Sequence, residues 1–76
     1  GFNFNDTTKS GTVKITQVDG GQQIDMGQFP FGRGEYFKIL PEGQYEFTIE
    51  PLNESPRTIS VEVDKDIQNN GNYLSL

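Results

Sequence analysis

Apolar residues at every second position narrow what this chain can become more than any other feature. In 44–50 (QYEFTIE), Tyr45, Phe47 and Ile49 alternate with Gln44, Glu46, Thr48 and Glu50. Successive side chains of a strand point to opposite faces, so this segment reads as a strand with one face in a core and the other in water. GTVKITQV (11–18) follows the same rule, with Val13 and Ile15 against Thr12, Lys14 and Thr16. RTISVEV (57–63) repeats it with Ile59, Val61 and Val63 inward and is expected to pair with 44–50 as an antiparallel hairpin. No stretch of ten or more residues carries a helical period.

Turn chemistry separates these runs. Asp19-Gly20-Gly21 supplies the positive-φ positions of a tight hairpin, and a return strand over 22–26 follows with Ile24 and Met26 inward. GQFPFGRG (27–34) interrupts the alternation with three glycines and a proline, which predicts a loop or an irregular edge. EYFKIL (35–40) reads as another strand, stopped by the turn Pro41-Glu42-Gly43. Residues 51–56 form a polar loop. Residues 64–72 are turn-rich, with Asn70-Gly71 as a hairpin dipeptide, and NYLSL (72–76) closes as a last short strand. At the other end, Phe2 and Phe4 stand at strand spacing in an arm whose pairing the sequence leaves open. The expected fold is all-β, a small antiparallel sandwich of six or seven strands over 11–76, preceded by an N-terminal arm over 1–10.

Composition bounds how such a fold holds together. At 76 residues with no cysteine and no histidine, neither a disulfide nor a thiolate or imidazole metal site staples it, so the apolar core must suffice. The same absences remove the usual general base and the serine-hydrolase arrangement, leaving Ser10, Ser55, Ser60 and Ser75 without an activating histidine. Eleven acidic residues against six basic ones give a net charge of −5 with no Lys/Arg cluster. Nucleic acid and anionic membrane surfaces are therefore poor partners, since affinity for both is built on positive charge. No apolar run approaches the ~20 residues needed for a membrane-spanning helix. The chain opens on Gly1 rather than Met, which reads as a processed or trimmed terminus.

GTVKITQVD followed by KILPEGQYEFTIEP resembles the prealbumin-like, Ig-like sandwich modules of bacterial surface proteins: collagen-adhesin B-type repeats, carboxypeptidase regulatory-like domains and PEGA domains. Leu40, Pro41, Gly43 and Tyr45 occupy the Leu-Pro-x-Gly-x-Tyr turn that launches a core strand in those families. The turn reverses the chain, and the tyrosine packs at the rim while its hydroxyl finds a backbone partner. The resemblance implies an extracytoplasmic, non-catalytic module. In B-type repeats a lysine of the first strand forms an isopeptide bond promoted by a glutamate; Gln17 and Ile49 stand at those places, which implies no such bond here.

Other candidate chemistry is sparse. Glu46, Glu50 and Glu62 fall on water-facing positions, where nothing raises a pKa or holds a sugar for glycosidic chemistry. Asp64-x-Asp66-x-Gln68-x-Asn70-Gly71 spaces oxygen ligands as calcium loops do, but lacks their glycine at the sixth place and glutamate at the twelfth; a hairpin turn is the favoured reading, with a weak calcium site at Asp64, Asp66 and Asn70 as the alternative. Phe29, Phe31 and Tyr36, extended by Phe2 and Phe4, form a candidate aromatic platform for sugar rings or a partner's side chains, weighed against burial in a core this small. Arg33 in the FPFGRG loop suits a protease cleft less well. Asn5-Asp6-Thr7 and Asn53-Glu54-Ser55 fit the glycosylation triplet, which a bacterial origin would leave idle. The expected function is a structural or protein-interaction module of a secreted or cell-surface bacterial protein, without cofactor. It would contact a protein or glycan partner at a strand edge or the aromatic loop, or a second copy by edge pairing. The alternative is a carbohydrate-binding module built on the exposed aromatics.

Overall fold

The structure is a computed structural model and describes residues 1–32, 38 and 40–75. Its elements in chain order are β1 (Phe2–Phe4), β2 (Gly11–Asp19), β3 (Gln22–Phe31), β4 (Gly43–Pro51), β5 (Arg57–Val63), α1 (Lys65–Asn69) and β6 (Asn72–Leu74). β2 to β5 form an antiparallel sheet in the order β3-β2-β4-β5, and β1 pairs with β6 in a second sheet. The fold is all-β, with six strands in two sheets among the described residues. The smaller sheet departs from the expected antiparallel arrangement, because β1 and β6 run parallel. The strand expected over 35–40 lies largely outside the described residues.

β2 and β3 turn on two residues, Gly20 (φ 56°) and Gly21 (φ 86°), between the paired Asp19 and Gln22. Two consecutive left-handed positions match the right-handed twist of the flanking strands, and glycine reaches them without a Cβ penalty. Beyond residue 26, where a loop or an irregular edge is expected, β3 continues to Phe31 as an irregular edge strand. A bulge makes this possible: Ile15 pairs with Gly27 and Thr16 with Asp25, so Met26 is the extra residue. Asp25 Oδ1 accepts the Gly27 amide at 2.8 Å, and Gly27 takes φ 104°. Pro30 is tolerated because β3 is an edge of the sheet. Met26 packs partly buried against the core, as its spacing predicts, while Ile24 at the far end of the hairpin is 43% exposed.

The core lies between the four-stranded sheet and the layer made by β1, α1 and β6. Val13, Ile15, Phe47 and Ile49 on the central strands lose all contact with water. Fully burying a side chain of this size contributes about 1.5–3 kcal/mol. From the opposite layer Phe2 meets Phe47 edge-on, with ring centroids 5.2 Å apart, and Phe4 tilts against Phe31 at 4.4 Å. The N-terminal arm therefore carries core residues: Phe2 and Phe4 are buried, and β1 takes its place beside β6 with Phe2 opposite Asn72 and Phe4 opposite Leu74.

Side-chain hydrogen bonds fix two corners of the fold. Tyr45 is buried on β4 and donates its hydroxyl to the Pro41 carbonyl at 2.7 Å, the backbone partner that the Leu-Pro-x-Gly-x-Tyr turn implies. At the other corner the hairpin expected at 70–71 is replaced by a helical turn. Asp64 caps it by accepting the Ile67 amide at 2.9 Å, and Asn72 Nδ2 donates to the Ile67 carbonyl at 2.7 Å where it ends. Ile67 packs on the core, and the chain then enters β6 alongside β1. A five-residue helix is too short to print a period in the sequence.

Candidate functional site

With the apolar side chains turned inward, the four-stranded sheet offers two kinds of surface: its edges and its outer polar face. The edges differ. β3 is interrupted by the bulge at Met26 and carries Pro30 near its end, two devices that spoil the row of backbone groups a new strand would read. β5 has neither. Its seven residues pair with β4 in unbroken register from Ile49 opposite Arg57 to Gly43 opposite Val63, and among the described residues no strand lies on its other side. Arg57, Thr58, Ser60 and Glu62 are exposed along it, and Ile59 is only partly covered by the core.

The outer face is a mosaic of hydroxyl, amide and charged groups. Thr48 and Thr58 bring their hydroxyl oxygens to 3.2 Å across β4 and β5, and Gln28 Nε2 donates to Thr12 Oγ1 at 2.9 Å across β3 and β2. Beside the bulge lies a shallow, open depression lined by Lys14, Asp25, Gly27, Gln28 and Glu50. Glu46, Glu50 and Glu62 all belong to β4 and β5, yet none stands opposite another: their cross-strand partners on these strands and β2 are Ser60 and Thr16, Thr12, and Gln44.

Of the residues singled out for ligand contact, Phe29 and Phe31 lie among the described residues, and both pack towards the core. Phe31 takes the core alternative weighed against the platform: only 7% exposed, it packs on Phe4. Phe29 is partly buried against the core, with Lys38 Nζ 4.8 Å from its ring centroid, a cation–π contact over the ring that a sugar would need. Tyr36 and Arg33 lie outside the described residues. Of the candidate calcium ligands, Asp64 spends one oxygen on the helix cap, and Asn70 Nδ2 donates to the Asp66 carbonyl at 2.6 Å. No three acidic, histidine or cysteine side chains converge as a metal site among the described residues. Gln17 pairs across the sheet with Tyr45, and Ile49 is wholly buried between β2 and β5.

Comparison of the chain with protein-family models, with curated proteins and with solved structures finds no match. What the chain can do must be read from its own surface. Sequence reasoning expected contact at a strand edge but did not say which strand is the edge, because strand order is set by pairings far apart in the chain. A partial signal was present: proline and glycine crowd 27–34 and are absent from 57–63.

Proposed function

We propose that this domain is a non-catalytic structural and protein-contact module of a secreted or cell-surface bacterial protein, related in architecture to prealbumin-like sandwich modules. The observation that carries the reading is the β5 edge: regular, free of proline and bulge, and lined outward by the polar side chains of Thr58, Ser60 and Glu62. Main-chain groups along such an edge accept an added strand, and alternate side chains of the incoming strand then meet the inner and outer faces. The Tyr45-to-Pro41 hydrogen bond supports the relation to prealbumin-like modules, since it gives the Leu-Pro-x-Gly-x-Tyr turn the role expected of it. The extracytoplasmic assignment rests on that relation and on the absence of cysteine.

A carbohydrate-binding reading draws support from one observation, the depression at Lys14, Asp25, Gln28 and Glu50, whose donors and acceptors suit sugar hydroxyls without a stacking ring. Two measurements separate the readings. Panning a random peptide library on the domain is expected to enrich extended, alternating peptides that slow amide exchange along β5. If no peptide protects β5, while glycan-array binding disappears in the Asp25→Ala, Gln28→Ala double variant, the module is a sugar binder instead.

A further inference from the structure

We propose that the strand completing the β5 edge is β5 of a second copy of this chain, paired antiparallel about a two-fold axis at Ser60. This joins two four-stranded sheets into one of eight. The inference rests on reading β5 as the contact edge and adds the identity of the partner. Residues opposite one another in a continuous sheet must share a face, so a two-fold antiparallel pair can be centred only on a residue, not between two residues. Centring on Ser60 is the one choice that overlaps the whole strand. It places Thr58 opposite Glu62 of the second copy on the outer face and Ser60 opposite its own counterpart. On the inner face Ile59 lies opposite Val61 of the second copy, which covers the side chain that the core leaves partly open.

The charges agree with this register. β5 begins with a cation, Arg57, and ends among acids, Glu62 and Asp64. A two-fold axis at Ser60 therefore sets no like charges face to face: Glu62 stands opposite Thr58 of the second copy, and Arg57 opposite its Val63. Neighbouring registers do worse. Centring on Val61 brings Arg57 up to Lys65 of the second copy, and centring on Ile59 sets Glu62 against Pro56, which has no amide to share. The β3 edge offers no equivalent, because its bulge and proline break the row.

A single edge pair buries little area, so the dimer is weak and forms as concentration rises towards about millimolar. Sedimentation equilibrium over a concentration series is expected to show the mass approaching twice that of the monomer. Ser60→Lys sets two ammonium groups opposite each other on the axis and should weaken association at least about tenfold, with an unchanged melting curve because Ser60 is exposed. The chain has no cysteine, so a disulfide reports register directly: under mild oxidation Ser60→Cys should link to itself, and Glu62→Cys, whose opposite residue is Thr58, should not. A monomer at every concentration together with peptides that still protect β5 overturns the second copy as partner and leaves the contact-module reading standing. A monomer whose β5 is protected by no peptide overturns both. A dimer that Ser60→Lys does not weaken, or that cross-links equally well through Glu62→Cys, overturns the two-fold at Ser60.

Discussion

Gly11 opens β2 where that strand runs between Phe31 of β3 and Pro51 of β4. A Cβ there would overlap the Glu50 carbonyl oxygen and stand 2.8 Å from Pro51 Cα, both backbone atoms that no rotamer change can clear. Gly11→Ala is therefore expected to destabilise the domain by about 2–3 kcal/mol, read as a lower denaturation midpoint at constant slope. Gly20 makes the contrast: a Cβ there meets nothing within 4 Å, so Gly20→Ala bears only the strain of φ 56° and should cost about 1 kcal/mol. Burial raises the Tyr45 phenol above its ordinary range. In the unfolded chain a tyrosine ionises near pH 10, so the stability that neutral Tyr45 contributes is fully present below that value and is lost as pH climbs through the raised one. Melting curves taken from about pH 9 to 12 should fall more steeply for the natural chain than for Tyr45→Phe, which should in turn lose about 1 kcal/mol at neutral pH with its hydrogen bond to Pro41. The partner class of the Tyr45 hydroxyl was legible from the turn motif. The crowding at Gly11 was not, because Glu50 and Pro51 come near it only through sheet pairing.

Elements whose two faces meet different media were the readable ones. β4 and β5 lie where period-2 alternation places them, and the hairpin of β2 and β3 turns where two glycines allow it. Residues 27–31 were legible only as a loop or an irregular edge, and the irregular edge forms: a bulge adds one residue and an edge strand tolerates proline, so the two leave the same marks in the sequence. Residues 64–71 escaped altogether. Their Asn and Gly content suits a hairpin, but Asp64 finds the Ile67 amide and makes a helix cap. Asp64→Ala is expected to cost about 1 kcal/mol. Because the acidic cap also carries the minority calcium reading, adding calcium to the natural chain should leave its melting temperature unchanged; a rise that Asp64→Ala abolishes would restore the metal.

At the scale of the whole molecule, the first and last strands lie side by side. Gly1 accepts the Asn72 amide at 3.0 Å, and Leu74 accepts the Asn5 amide at 3.0 Å, so the two ends of the described chain close one layer of the core. Contacts this far apart form only after most of the chain is ordered, and folding should be slow for the domain's size. Removing residues 1–5 strips Phe2 from Phe47 and Phe4 from Phe31, and losing one buried phenylalanine alone costs about 3–5 kcal/mol against a typical total of about 5–15. The truncated chain is expected to bind a hydrophobic dye and lose its cooperative melt; a retained sharp transition would show that the antiparallel sheet stands without β1. Local order in the sequence determined that this is an all-β chain, which faces of β2, β4 and β5 turn inward and where the β2–β3 hairpin turns, because strand pleat and turn dihedrals are properties of adjacent residues. Only the tertiary structure decided that Phe2 and Phe4 belong to the core, that β1 and β6 run parallel, and that β5 ends the sheet among the described residues, because each depends on which distant strands find one another.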